Sequence, residues 1–192
     1  MADQTQIKPL RPAATVEYVT ELSASDINDL CDATDAAIND GGGFGWVSLP
    51  AREVLERFWQ GVLAMPARSL FVARLDGVIC GTAQLIAPPK NNEAQSFAVN
   101  LTTNFVAPWG RGHGLARMLL EEVERKARKD GYNVINLDVR ETQIAAIKFY
   151  ENMGYIRFGT HPLYAKVDGE NIQGHYYYKA LEDVVPNDTA AS

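Results

Sequence analysis

Three glycines within five positions, with Arg111 and His113 between them, mark the segment of this chain best suited to chemistry. The run is Val106-Ala107-Pro108-Trp109-Gly110-Arg111-Gly112-His113-Gly114-Leu115-Ala116. Glycines let a backbone approach a bulky anion without interference from Cβ. The run feeds directly into a strongly helical segment, whose first amides and dipole suit a phosphate or pyrophosphate. Arg111 adds a charged fork at the same point. The same glycines could also serve only a tight strand-to-helix turn. Neither the dinucleotide fingerprint G-x-G-x-x-G nor the P-loop pattern is present.

Other reactive residue types are sparse. Cys31 and Cys80 lie far apart, and His113, His161 and His175 are widely spaced, so no metal-ligand cluster is expected. The two cysteines read as buried small hydrophobes in a reducing compartment. The net charge of −6 argues against non-specific nucleic-acid binding, which needs a basic surface. No apolar run is long enough to span a membrane, and the polar start MADQTQIKPLRP lacks the apolar stretch of a secretory signal. A cytoplasmic protein is expected.

The elements that must position the glycine run can be read around it. Residues 114–129 form the clearest helix: Leu115, Met118, Leu119, Val123 and Ala127 share one face, and Asp130-Gly131 ends it. On the outer face Glu121/Arg125, Glu122/Lys126 and Glu124/Arg128 are spaced as i,i+4 ion pairs. A long strand over 94–106 precedes the run, and a strand over 134–139 follows the helix. Residues 143–153 read as a shorter helix with Ala146, Phe149, Tyr150 and Met153 on one face, stopped by Gly154. Upstream, 16–20 is a strand, and Ser23 with Asp26 resembles a helix-capping box. The first helix carries Ile27, Leu30, Thr34 and Ile38 and stops at Gly41-Gly42-Gly43. A second helix covers 50–64. Strands 70–75 and 78–86 form a hairpin through Asp76-Gly77. Strands at 155–158 and 175–181 close the chain. The order is β-α-α-β-β-β-α-β-α-β-β, an α/β fold with a mixed central sheet and helices on both faces, in a single domain over 16–182. Residues 1–15 read as a flexible arm and 183–192 as a frayed tail.

Arg111-x-x-Gly114-x-Ala116, preceded by Val106-x-Pro108, resembles the pyrophosphate loop of the GNAT superfamily of N-acetyltransferases. Downstream, Gln143-x-x-Ala146-Ile147-x-Phe149-Tyr150-x-x-Met153-Gly154-Tyr155 resembles that family's second signature, N-x-x-A-x-x-[FL]-Y-x-x-x-G-[FY]. The two occur in the family's order, and the resemblance covers roughly residues 16 to 181. A looser likeness runs through Gly43-Phe44-Gly45-Trp46, Phe58-Trp59, residues 81–85, Pro88-Pro89-Lys90-Asn91, Leu137-Asp138-Val139-Arg140, Pro162-Leu163-Tyr164-Ala165 and Asp168-Gly169. It resembles the branch that includes the tabtoxin-resistance acetyltransferase, and implies a small-molecule amine acceptor.

The resemblance implies acetyl-CoA as co-substrate and no metal. Arg111 and the amides of Gly112, His113, Gly114, Leu115 and Ala116 would hold its pyrophosphate. Phe105 and Val106 would pair with the pantetheine arm where the strands at 100–106 and 134–139 splay apart, and Gln143 stands where the family usually has a coenzyme-facing Asn. Tyr150 would be the general acid, a phenol of pKa near ~10 matched to a leaving thiol near ~8.5. Periodicity alone reads Tyr150 as a core aromatic beside Phe149. An alkylammonium of pKa near ~10 needs a proton acceptor at neutral pH, and Asp138 is the best carboxylate for it; a loop-capping role for Asp138 is equally open. The branch often places Glu where this chain has Asn100. Trp46 would either wall the acceptor site with its glycine-rich neighbours or be buried after the helix stop. Tyr164, Tyr176, Tyr177 and Tyr178 could line the cleft, and alternation turns Tyr177 away from its two neighbours. The implied reaction is direct attack of the amine on acetyl-CoA. Competing expectations are a protein or peptide acceptor, and a non-catalytic coenzyme A sensor. Dimerisation is common in the fold, so a homodimer stays open.

Overall fold

The computed structural model of the chain describes residues 12–42 and 45–181. The expected loose arm (in its first eleven residues), Gly43-Phe44 of the proposed acceptor wall, and the expected tail lie outside these. The elements are β1 (Ala14–Val19), α1 (Ala24–Asn39), α2 (Arg52–Leu63), β2 (Arg68–Leu75), β3 (Val78–Ile86), β4 (Ala98–Val106), α3 (Leu115–Lys129), β5 (Val134–Arg140), α4 (Ile144–Asn152), β6 (Ile156–Val167) and β7 (Glu170–Ala180). The order is the one expected from the sequence. Single-turn 3-10 helices occupy Glu93–Gln95 and Pro108–Gly110, so β4 starts four residues later than the apolar pattern suggests.

Local chemistry accounts for most boundaries. Ser23 Oγ accepts from the Asp26 amide at 3.1 Å, and Asp26 Oδ2 accepts from the Ser23 amide at 2.9 Å, closing the capping box that starts α1. Asp76 and Gly77 take positive φ angles of 50° and 87° and close the β2–β3 hairpin. The same dipeptide chemistry recurs at Asp168-Gly169 and joins β6 to β7, which are far longer than the short strands expected. Residues 159–174 are mostly exposed, with Pro162 and three glycines, so no clear alternation betrays a strand. Proline is tolerated there because β6 is the sheet edge and bulges between His161 and Ala165.

The sheet order is β1-β2-β3-β4-β5-β7-β6. Every pairing is antiparallel except β4 with β5, where only Ala98–Asn100 pair with Val134–Asn136 before the strands part. α1 and α2 cover one face through Leu30, Leu55 and Trp59 against Leu70, Val72 and Ile79. α3 covers the other through Leu115, Leu119, Leu120 and Val123 against Phe71, Ala83, Leu101 and Leu137, with α4 beside it. On α3 only Glu124–Arg128 forms among the three expected i,i+4 pairs, at 3.5 Å. Glu124 is buried and bonds Lys179 of β7 at 2.7 Å, while Arg125 turns back to Glu122 and Lys126 reaches Asp130. Surface ion pairs are worth too little to dictate rotamers against a buried partner.

Candidate active site

The parting of β4 from β5 is sharpened by a bulge. Between the pairs Gln84↔Thr102 and Thr82↔Phe105 the register shifts, and buried Thr103 sits at φ 50°, a costly conformation for a β-branched residue. The bulge re-aims Asn104, whose Nδ2 donates to Tyr150 Oη at 3.0 Å. Tyr150 is 7% exposed and packs among Phe149 and Tyr155. Burial pushes its phenol up to about 12, with the Asp138 charge acting in the same sense and the Asn104 bond opposing. With Asn104 filling an acceptor site on its oxygen, Tyr150 is left as a proton donor. The sequence gives no sign of Asn104's part, because a Thr-Thr-Asn stretch reads as plain strand.

The glycine run sits at the near end of this gap. Gly112 and Gly114 have φ of 83° and 79°, with open space where a Cβ would be. Gly114 caps α3, whose first intrahelical bond runs from the Met118 amide to Gly114 O. The amides of Leu115 and Ala116 therefore point out of the helix start without an intrahelical partner. Gly112 and His113 lie exposed beside them, and His113 Nδ1 is only 3.4 Å from Gly110 O. Arg111 is engaged within the protein: its Nε donates to Val106 O at 3.2 Å and a terminal nitrogen to Asp40 Oδ2 at 2.6 Å. Gln143, at the start of α4, donates to Gly41 O at 2.6 Å. Both side chains hold the end of α1 while also lining the cleft beside it.

Three cavities share walls and form one passage. A groove of about 350 Å³ runs between the glycine loop and α4. It shares Val106, Arg111, Ala116 and Phe149 with a cleft of about 770 Å³ that also takes in Phe105, Gln143 and Tyr150. That cleft shares Asn104, Arg140 and Tyr150 with a cavity of about 320 Å³, whose lining includes Asp138 and Tyr164. A long ligand with an anionic middle can lie along the first two, its reactive end beside Tyr150. The open amides, the left-handed glycines and the room suit a coenzyme A molecule.

On the far side Asp138 is exposed and accepts a hydrogen bond from Tyr164 Oη. Burial raises the Tyr164 phenol above its ordinary value; the Asp138 carboxylate adds to this and Arg140 pulls the other way. Tyr176, opposite Asp138 on β7, meets the Tyr164 ring edge-on at 6.2 Å. Tyr177 is fully buried on the opposite face, as alternation requires. Asn100 lies in a neighbouring pocket of about 320 Å³ that includes Tyr176 and shares Leu137 and Asp138 with the cavity that Tyr150 lines. Trp46 packs edge-on against Phe58 at 5.0 Å, joining the α2 aromatic cluster.

Comparison with known proteins bears on the family and the fold. The profile of the Acetyltransferase (GNAT) family matches residues 35–155. An uncharacterized N-acetyltransferase encoded in the hisH-hisA intergenic region of Azospirillum brasilense is 62% identical over 129 residues, which are 67% of this chain and 77% of that protein. An N-acetyltransferase structure from Staphylococcus aureus Mu50 superposes with a TM-score of 0.72 at 17% identity, covering 88% of this chain and 99% of its own. The acetyltransferase yncA from Salmonella typhimurium, solved with its cofactor acetyl-CoA, superposes with a TM-score of 0.70 at 16% identity, covering 92% and 99%. At such identities the two structures speak to the fold.

Proposed function

The chain belongs to the GNAT family of acetyltransferases, and from that premise we propose that it passes an acetyl group directly to the amine of a small molecule held between Tyr150 and Asp138. As a member of the family it is an acetyl-CoA-dependent N-acetyltransferase. The observation that carries the proposal is that Tyr150 and Asp138 line one cavity of about 320 Å³ at the mouth of the β4–β5 gap.

Acetyl-CoA supplies an activated thioester. Gly112, His113, Gly114, Leu115 and Ala116 would receive its pyrophosphate on their amides, with Arg111 turning from Asp40 to join them. The β4 backbone at Phe105 and Val106, where the strand parts from β5, would pair with the pantetheine arm, and Gln143 would leave Gly41 to reach it. Asp138 takes the proton that the attacking nitrogen must shed as its bond to the acyl carbon forms. Tyr150 gives a proton to the sulfur as the carbon–sulfur bond breaks. The balance is one proton in at Asp138 and one out at Tyr150, restored by solvent after release. No side chain becomes acetylated, and both cysteines are buried away from this cavity.

The size of the cavity, about 320 Å³ and lined by Tyr164, Asp138, Gly42 and Gly45, favours a small acceptor over a polypeptide. Replacing Tyr150 with Phe keeps the ring packing and removes the donor. We expect kcat to fall by about a hundredfold or more with coenzyme A affinity unchanged. Asp138→Asn should lower turnover similarly, with part recovered at alkaline pH as the acceptor loses its proton unaided. Thiol release across small amines and basic peptides measures both; full activity in Tyr150→Phe overturns the general-acid role, and a preference for peptides overturns the small-molecule reading.

A further inference from the structure

Asp138 is a wall of two cavities. One, of about 320 Å³, is lined by Tyr150; the other, also of about 320 Å³, is lined by Asn100, Asn136, Gln95, Phe158 and Tyr176. The transfer set out above uses only the first. We propose that the second is a distal subsite for the acceptor. It receives an uncharged group that both donates and accepts hydrogen bonds, a carboxamide or a hydroxyl, while the amine at the other end sits on Asp138. This rests on the reading of Asp138 given above and names the substrate class of that site.

Strand register builds the subsite. Val99, Leu101, Ile135 and Leu137 are buried in the core beneath α3, so Asn100 and Asn136 project from the opposite face. They are the last pair of the β4–β5 ladder before the strands part, with their backbones about 5 Å apart. Asp138 follows Asn136 on the same face, about 7 Å further along the strand. On β7, Tyr176 stands opposite Asp138 and Tyr178 opposite Asn136. Phe158 sits at a bulge of β6, its ring 6.2 Å from that of Tyr176 and 6.0 Å from that of Tyr178, and is 62% exposed. Tyr164 crosses β7 at Gly174, where a Cβ would overlap its ring, and donates to Asp138 Oδ2. A carboxylate that accepts one such bond keeps lone pairs for an ammonium.

The lining discriminates among amines. Among the described residues, Asp138 is the only charged one in this pocket. The side chains of Asn100 and Asn136 have no hydrogen-bond partner among the described residues. Each amide offers two donors and a carbonyl acceptor, so the pair answers a group of mixed character. Phe158 and Tyr176 give apolar surface for the carbon chain between the acceptor's two ends. A second ammonium would enter a pocket whose one carboxylate already holds the first. A carboxylate would find no cation there and would face the like charge of Asp138.

Thiol release would be measured with linear primary amines of graded length, each ending in carboxamide, hydroxyl, methyl, carboxylate or ammonium. At the matching length we expect the carboxamide or hydroxyl to exceed the other three by about tenfold to a hundredfold in kcat/KM, since a site built for hydrogen bonds rejects analogues that leave its groups unpaired. Asn136→Leu, close in volume, should remove that advantage mainly through KM, with the methyl-ended amine and coenzyme A affinity by calorimetry unchanged. Asn100→Leu should act in the same sense, which guards against a folding defect in either variant. Asn136→Asp supplies a second carboxylate and should shift the preference to the ammonium-ended amine. Equal turnover across the five ends, a preference for an ionic or methyl end, or coenzyme A binding with no amine turned over would each overturn the proposal. So would Asn136→Leu and Asn100→Leu variants that stay folded and slow every amine alike. Failure of the underlying reading looks different: Asp138→Asn would then retain full turnover whatever the acceptor.

Discussion

At the scale of single residues, the acceptor side depends on one contact that no sequence spacing reveals. Tyr164 and Asp138 are 26 positions apart, yet the phenol donates to the carboxylate because Gly174 lies between them without a side chain. Tyr164→Phe keeps the ring in place and removes only that donor. A hydrogen bond to a charged group is worth about 1.5–3 kcal/mol, so kcat should fall on the order of tenfold while the KM for acetyl-CoA holds. If Tyr164 acts through Asp138, the double variant with Asp138→Asn should be no slower than Asp138→Asn alone. Losses that multiply would show that Tyr164 works on its own. Gly174→Ala, which forces the ring off β7, should match Tyr164→Phe in this comparison.

At the scale of elements, the glycine loop is fastened to the sheet from beneath. Gly110 is buried, and a Cβ there would lie 2.6 Å from Cys80 Sγ and 3.0 Å from Cys80 Cβ, on the adjacent strand β3. Gly110→Ala must lift the loop, at a cost of about 1–3 kcal/mol for overpacking, and with it the amides that precede α3. Calorimetry should show coenzyme A binding weakened by about tenfold in that variant, with part restored by adding Cys80→Ala, which removes the nearer clash. No rescue would mean that the loop fails for another reason. What the sequence made legible here was local: the glycine spacing, the α3 stripe, the capping box at Ser23 and Asp26, and the Asp76-Gly77 turn each depend on neighbours along the chain. The parting of β4 and β5 was legible only through family likeness. The bulge at Thr103, the length of β6 and β7, and the parts of Asn104 and Gly174 were not legible at all, since each arises where strands distant in sequence lie side by side. For the same reason the i,i+4 spacing on α3 misled: buried Glu124 answers to Lys179 across the sheet.

At the scale of the whole molecule, the sheet is one object shared by two cores. β2 sends Leu70 and Val72 towards α1 and α2, and Phe71 and Ala73 towards α3; β3 does the same with Ile79 and Cys80. Neither layer can lose its helices without uncovering strands that the other needs, so both should unfold together. The two cysteines test this, because Cys31 lies in the α1 side and Cys80 in the α3 side, each fully buried. Burial also raises both thiols above their ordinary values, with neighbouring charges secondary at Cys31 and backbone contacts secondary at Cys80. Native protein should therefore leave a thiol-reactive disulfide dye unreacted on the timescale of a turnover assay, so released coenzyme A is the thiol counted. In rising guanidinium chloride, single variants retaining only Cys31 or only Cys80 should become labelled at midpoints matching their own loss of circular dichroism. Saturating coenzyme A, which binds only the folded chain, should move both midpoints upward together, by about 2.7 kcal/mol of added stability at a hundred times Kd. Labelling of Cys31 well below the midpoint for Cys80 would show that the α1–α2 layer opens by itself. The acceptor wall near Gly42 would then belong to a separately mobile layer, and the two-core coupling argued here would be wrong.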